Sequence, residues 1–303
     1  MTLLHRLIEL RSMKPSQNFF LLVDKPAGFT SFDVCAKLRK PLGIKRIGHT
    51  GTLDPFATGL LVIAVGKCTK LIPLFEKDIK TYRTQILLGK TSETLDPESE
   101  IIDCHNGYVP CLEEIEKLLK EKFTGNITQI PPKYSALKID GQRAYDLARK
   151  GEDVVMKERP TEVKAVKILN YNFPKLEVEL TVAAGFYVRS FASDVGTTLC
   201  GGGLCSELRR TAVGAINLEN SDLPVLNNFD DLNDDFKIDS QLLIKNIVHL
   251  EISPERLPDL QAGRAVFVNP HPANGEKVLV LCQGETVGLA EVKEGNLQPR
   301  VVF

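Results

Sequence analysis

Strand-like and helix-like patterns follow one another irregularly along this chain, without the strand–helix–strand rhythm of a doubly wound fold. Short apolar runs at 19–23 and 60–65 are typical of buried strands, and 176–182 alternates between apolar and polar residues. Residues 112–123 carry apolar side chains at helical spacing instead. This mixture predicts an α+β fold built on a mixed, mostly antiparallel central sheet.

Capping and turn residues predict where one helix and one loop begin and end. Thr30 followed by Asp33 predicts a capped helix start, and Pro41 with Gly43 predicts that the helix stops before Pro41. The stretch 46–58 is rich in Gly and Thr, which predicts a loop.

The C-terminal part differs in composition from the rest. Residues 251–303 are rich in Val and Gly and contain strand-length runs such as 278–281. The polar, acidic stretch 227–237 precedes them and is typical of a linker. We therefore expect a large domain over residues 1–250 and a small β module over 251–303.

Composition narrows the classes of function. The chain has no run of about 18 uncharged apolar residues, so we expect no membrane span. Its 7 cysteines include no C-x-x-C pair, which favours reduced thiols in the cytoplasm over disulfides or a zinc site. The net charge of −1 is unusual for a nucleic-acid-binding protein. Lys and Arg nevertheless cluster at 37–46 and 133–150, and each cluster fits either a phosphate-binding face or an ordinary solvated surface.

The segment Gly48-His49-Thr50-Gly51-Thr52-Leu53-Asp54-Pro55 is the strongest candidate for chemistry. Its glycines widen the range of backbone conformations, whereas Pro55 restrains Asp54 to an extended backbone. An apolar strand follows, so this loop could hold a carboxylate at the mouth of a cleft. Composition alone favours an Asp in a local turn. No Gly-Lys-Ser/Thr follows, which excludes a phosphate-binding loop of that type.

This segment resembles the nucleophile-bearing motif of the TruB family of tRNA pseudouridine synthases. Five further segments resemble other motifs of that family and occur in the family's order. They are Asp24-Lys25-Pro26-Ala27-Gly28, Lys80-Thr81-Tyr82, the run 131–138, Gly185-Phe186-Tyr187-Val188-Arg189 and Leu208-Arg209-Arg210-Thr211. The resemblance covers about residues 19–214. It implies the pseudouridine synthase fold, an RNA-gripping insertion at about 126–158, and a PUA-like C-terminal module.

The resemblance also implies an activity. Members of the family isomerise uridine to pseudouridine in the T-loop of tRNA, at position 55, after flipping the base out of the RNA. No redox step occurs, so no cofactor and no metal are expected. The implied partner is the tRNA T stem-loop, with no membrane, and we expect a monomer.

The family's residue roles carry over to matching positions. Asp54 is the implied nucleophile, Arg189 pairs with it, and Tyr82 stacks on the flipped base and is a candidate proton acceptor. An arginine beside a carboxylate is expected to lower the pKa of Asp54 and keep it ionised. Six further residues are implied to contact or support the substrate: Lys25, His49, Lys138, Arg143, Tyr187 and Leu208.

Three chemical routes stay open: attack of the carboxylate on C1′, attack on C6, or elimination through a glycal. Two other classes of function are also considered. An RNA-binding or RNA-folding module would not need a carboxylate facing an anionic ligand. A hydrolase with a carboxylate nucleophile would need an acidic metal-binding partner, for which Asp24 is the only candidate that the sequence suggests nearby.

Overall fold

The computed structural model describes residues 17–75, 77–135, 137–139, 142–149, 155–269 and 272–303. The helices are α1 (Ser31–Leu42), α2 (Leu112–Lys122), α3 (Ala144–Arg149), α4 (Val188–Cys200), α5 (Ser240–Leu243) and α6 (Leu257–Gln261). The strands are β1 (Phe19–Lys25), β2 (Ile47–His49), β3 (Thr58–Val65), β4 (Lys80–Leu88), β5 (Lys90–Thr91), β6 (Ile102–Asp103), β7 (Gly125–Gln129), β8 (Lys138–Ile139), β9 (Gln142–Arg143), β10 (Arg159–Asn172), β11 (Lys175–Val182), β12 (Gly203–Val213), β13 (Ile216–Asn217), β14 (Val225–Leu226), β15 (Val248–Glu251), β16 (Val266–Phe267), β17 (Lys277–Cys282), β18 (Glu285–Lys293) and β19 (Asn296–Val302).

A 10-stranded central sheet forms the body of the molecule. Its main path runs β14-β1-β3-β12-β4-β11-β10-β7, with β13 beside β12 and β2 beside β3. Two of its contacts, β1 with β14 and β3 with β12, are parallel, and the other pairs are antiparallel. The predicted α+β fold with a mixed, mostly antiparallel sheet is confirmed.

The apolar runs in β1 and β3 are explained by burial on both faces. One face of these strands packs on α1, through residues such as Leu21, Ile63 and Leu38. The opposite face, which includes Phe20 and Val62, packs in a different cluster. A strand buried on both sides has no position that favours a polar residue, so its sequence reads as a continuous apolar run.

Two local predictions were wrong. Helix α1 begins at the predicted Thr30–Asp33 capping box but continues through Pro41, and Gly43 ends it in a left-handed conformation at φ 63°. Proline fixes a φ that a helix accepts, and since only Leu42 follows it in α1, its missing N–H and the clash of its ring affect the last turn alone. The predicted 46–58 loop also contains β2, which pairs antiparallel with β3.

A second sheet of five strands, in the order β15-β17-β18-β19-β16, forms the C-terminal part. One of its faces packs on the central sheet, because Leu279, Leu289 and Val301 share one apolar cluster with Phe20 and Val62. Over the residues that the structure describes, no helix is long and apolar enough to cross a membrane.

Candidate active site

The loop that carries Asp54 joins β2 to β3 and is held from behind by buried donors. The Arg210 guanidinium, 1% exposed, donates to the carbonyls of Leu60, Gly51 and Thr52 at 2.8, 3.1 and 3.4 Å. The Lys25 ammonium donates to the Pro55 carbonyl at 3.1 Å. The loop backbone is therefore fixed at several points before any substrate binds.

Gly59 lets the end of this loop approach β12 closely. Its φ is +102°, and a Cβ built on it would lie 2.3 Å from the carbonyl oxygen of Arg210. No residue with a side chain fits there without displacing the backbone. The glycine thereby brings the loop that carries Asp54 against the strand that supplies Arg210.

Asp54 and Arg189 form a bidentate ion pair. Arg189 Nε lies 3.0 Å from Asp54 Oδ2, and Nη2 donates to Oδ1 at 3.0 Å. The Asp54 side chain is 30% exposed, whereas that of Arg189 is 6% exposed. The carboxylate thus faces the open side, with the guanidinium behind it.

A second carboxylate holds the other edge of the same guanidinium. Arg189 Nη1 donates to Asp96 Oδ2 and to the Thr94 carbonyl, both at 2.9 Å, and Nη2 also donates to the Tyr134 carbonyl at 2.9 Å. Asp96 is 1% exposed. Because both terminal nitrogens of the guanidinium donate to two acceptors each, Arg189 has little freedom to rotate, and its ion pair with Asp54 is held in one orientation.

The pKa of Asp54 is raised, not lowered as expected from its arginine partner. Burial of the carboxyl is the largest cause, the charge of Arg189 opposes it, and the charge of Asp96 adds to it. The sequence suggested one partner of opposite charge, but it gave no sign of the burial or of the second acid. Burial likewise lowers the pKa of the Lys25 ammonium to about 8.

A cavity of about 420 Å³ opens beside this ion pair, within the usual size range for a small-molecule site. It is lined by Thr50, Gly51, Thr52, Leu53, Asp54, Lys80, Tyr82, Ser135, Leu137, Ala183, Gly185, Phe186, Tyr187, Val188, Arg189, Leu208 and Arg210. Of the residues singled out in the sequence, Asp54, Arg189, Tyr82, Tyr187 and Leu208 therefore meet at one cavity.

Different elements bring these side chains together. Tyr82 and Leu208 lie on the neighbouring strands β4 and β12. Tyr187 is the N-cap of α4, and its backbone exchanges hydrogen bonds with the Gln129 side chain, each at 3.1 Å. Arg189 follows in the first turn of the same helix. The start of α4 is thereby tied to β7.

Two predicted substrate contacts lie elsewhere. Lys25 is 0% exposed, and its ammonium donates to the carbonyls of Pro26, Phe29 and Pro55, so it supports the loop from within the protein. This placement does not fit a contact with RNA. His49 is half-buried on β2, and its pKa is lowered, first by burial and then by the charge of Arg210.

Lys138 and Arg143 face each other across the β8–β9 hairpin, as Cα partners of antiparallel strands. Their side chains lie outside the described part of the chain, as do residues 136, 140–141 and 150–154 of the predicted insertion.

Sequence reasoning missed Asp96 and gave no role to Arg210. A signal for Asp96 was present, because the tetrapeptide Thr-Leu-Asp-Pro occurs twice, at 52–55 and at 94–97. Both copies direct their aspartate at Arg189. No group of three potential His, Cys, Asp or Glu metal ligands is found within the described ranges.

Two family sequence models match this chain. The model described as TruB family pseudouridylate synthase (N terminal domain) matches residues 39–188, and Pseudouridine synthase II TruB, C-terminal, matches 249–303. The tRNA pseudouridine synthase B of Ruegeria pomeroyi is 40% identical over 291 residues, which cover 94% of this chain and 95% of the relative. That of Gloeothece citriformis is 39% identical over 302 residues, covering 94% and 96%.

Solved structures with the same fold support this similarity. A chain of an H/ACA RNP bound to a substrate RNA containing 2′-deoxyuridine superimposes with a TM-score of 0.69 at 22% identity, covering 98% of this chain and 87% of that one. A chain of a Cbf5-Nop10-Gar1 complex gives 0.68 at 23% identity, covering 94% and 83%. At such identities the likeness concerns the fold alone, and it confirms the pseudouridine synthase fold expected from the sequence.

Proposed function

Because the chain belongs to the TruB family of tRNA pseudouridine synthases, we propose that its target is the T-loop uridine at position 55 of tRNA and that Asp54 is the nucleophile. The coarser activity, isomerisation of uridine to pseudouridine in tRNA, follows from the family itself. The target position and the residue roles are the proposal.

The observation that carries the proposal is the Asp54–Arg189 pair beside the cavity. The carboxylate is aimed by two contacts of 3.0 Å while its side chain stays 30% exposed. A nucleophile needs such fixed geometry together with access to the substrate. A protein that only binds RNA gains nothing from a negative charge that faces an anionic ligand.

The reaction breaks the bond between C1′ and N1, turns the base, and forms a bond between C1′ and C5. The proton on C5 leaves and N1 gains one, so atoms and electrons balance without an oxidant or reductant. Attack at C1′, attack at C6 and elimination each use the ionised form of Asp54. Tyr82, on the cavity wall, is placed to stack on the base and is the candidate acceptor for the C5 proton.

A cavity of about 420 Å³ suits a single base and not a stacked run of bases, so the target nucleotide leaves its stack to enter it. We assign the phosphate contacts that hold the tRNA T stem-loop to the insertion at about 126–158, where Lys138 and Arg143 occupy the β8–β9 hairpin. The catalytic domain spans residues 1–250, and 251–303 form the accessory module. The enzyme acts as a monomer, and its site uses neither cofactor nor metal.

An unmodified tRNA transcript tests the target position. Site-resolved detection of pseudouridine after incubation should show conversion at the T-loop uridine and at no other uridine. The matched control is the same transcript with that uridine replaced by cytidine, which should gain no pseudouridine. Conversion at a different uridine would remove the T-loop assignment while leaving the family activity in place.

A further inference from the structure

Ser135 lies on the wall of the cavity, between β7 and β8. It is 5% exposed, and its backbone is fixed from two directions. The carbonyl of the preceding Tyr134 accepts from Arg189 Nη2 at 2.9 Å, and the carbonyl of Ser135 itself accepts from the Tyr145 amide at 3.1 Å. The serine side chain is therefore held on the same side of the cavity as the Arg189–Asp54 pair.

The Ser135 hydroxyl is buried without a hydrogen-bond partner among the described residues. Two other buried atoms share this property, His49 Nδ1 and Thr161 Oγ1, but neither of those residues lines the cavity. Leaving a buried hydroxyl unpaired costs free energy, and native proteins seldom do so unless a bound group completes the bond. A ligand in the cavity is the natural partner.

The groups around Ser135 indicate which part of the ligand its hydroxyl would contact. The N–H groups of Arg189 are directed at protein acceptors, and Leu137, Phe186, Val188 and Leu208 give the wall an apolar character. A pyrimidine ring suits such a wall, but its two carbonyl oxygens need donors. A serine hydroxyl is a freely rotating donor.

We propose that the Ser135 hydroxyl donates a hydrogen bond to a carbonyl oxygen of the flipped uracil, an inference that rests on the proposed function. Turning the base about its N3–C6 axis exchanges O2 and O4. One donor on the wall can therefore hold the ring before and after the glycosidic bond moves from N1 to C5. Ser135 is then a substrate-binding residue that keeps the detached base in place.

The test uses Ser135→Ala, with Thr161→Val as the matched control. Each variant removes one buried, unpaired hydroxyl, but Thr161 lies on β10 and does not line the cavity. Both variants should keep the thermal midpoint of wild type. On tRNA with uridine at the target, kcat/KM of Ser135→Ala should fall about tenfold or more, as for the loss of a hydrogen bond to substrate. Thr161→Val should match wild type. Ser135→Cys, with a weaker donor, should lie between wild type and the alanine variant.

The substrate side is tested with tRNA that carries 2-thiouridine or 4-thiouridine at the target, since sulfur is a weak acceptor. On at least one of these RNAs, Ser135→Ala should lose little or nothing further relative to wild type. An unchanged penalty on both RNAs, or wild-type activity of Ser135→Ala on uridine, overturns the inference. Failure of the proposed function is seen separately, because wild type would then leave the T-loop uridine unconverted in the same assay.

Discussion

At the scale of single residues, the site is two aspartates sharing one arginine. Asp54 and Asp96 contact opposite edges of the Arg189 guanidinium, and the triad carries one net negative charge in a largely buried place. Removing the arginine would leave two carboxylates uncompensated, which is costly, whereas removing one aspartate would leave a neutral pair. Asp96 therefore affects Asp54 in two ways: it fixes the orientation of the carboxylate through Arg189, and its charge adds to the rise in the pKa of Asp54.

Asp96→Asn should separate these two effects in a pH–rate profile. As the proposed nucleophile, Asp54 must be ionised, so we expect the rate to be lost as pH falls through its pKa, which burial has raised. The charge of Asp96 adds to that rise, so its removal lowers the pKa of Asp54 and shifts the acid limb to lower pH. The plateau rate should also fall, because Arg189 loses one anchor. Single-turnover rates from pH 4 to 8 measure both, and an acid limb that moves to higher pH would contradict this account.

The residues at this scale were only partly predictable. Asp54 could be singled out because it stands in a distinctive segment, but the prediction that it pairs with Arg189 came only from the family resemblance. Asp96 and the buried Arg210 act through contacts between segments far apart in sequence. The direction of the Asp54 pKa was wrong because burial arises from the whole fold, whereas the arginine partner alone suggested the opposite sign.

At the scale of elements, α4 is the part that places the arginine. It packs directly on the backbone of the chain leading into β12, where Gly196 meets Gly202 and Gly203. A Cβ on Gly196 would lie 2.2 Å from the Gly202 carbonyl oxygen. A larger residue at position 196 would force α4 away from this backbone. The close packing of α4 places Arg189, in its first turn, within contact distance of Asp54.

Gly196→Ala should push α4 away from the sheet and move Arg189 with it. We expect a loss of about 1–3 kcal/mol in the free energy of unfolding, as for overpacking of a dense core. The rate of conversion should fall as well, because a small displacement at the reacting groups is costly. Thr198→Ala, at an exposed position of the same helix, is the control and should change neither. Wild-type stability and rate for Gly196→Ala would show that this contact is unimportant.

Most elements were predictable, but their partners were not. Apolar runs and alternation located β1, β3 and β11, because burial of a strand appears directly in its residues. Strand β2 was missed because its three residues are defined by pairing with β3 and not by composition. The continuation of α1 through Pro41 was missed because a proline followed by a single helical residue disturbs only the last turn.

At the scale of the whole molecule, the two sheets are joined by a common core. Leu279, Leu289 and Val301 from the C-terminal sheet pack with Phe20 and Val62 of the central sheet. Hydrogen bonds add to this contact, since the Thr286 amide and hydroxyl both donate to the Asp239 carboxylate, the hydroxyl at 2.5 Å. Composition suggested a separate module, but the packing between the sheets is not visible in a linear sequence.

Leu289→Ala should therefore destabilise the whole chain and not the C-terminal sheet alone. Its side chain is 7% exposed within the shared cluster, so a loss of about 2–5 kcal/mol is expected. Denaturant unfolding followed by probes in each sheet should show one shifted transition for both. Phe267→Ala, where the side chain is 61% exposed, serves as the control. Unfolding of the C-terminal sheet while the central sheet keeps its wild-type midpoint would argue that the sheets are independent.

Asp54, held by Arg189 beside the cavity, is the proposed nucleophile for uridine isomerisation in tRNA. The most direct test compares wild type with Asp54→Asn on an unmodified tRNA transcript, measuring RNA binding and site-resolved pseudouridine together. We expect the variant to bind the RNA but to convert no uridine, whereas wild type converts the T-loop uridine. Conversion of that uridine by Asp54→Asn at a rate close to wild type would contradict this role of Asp54.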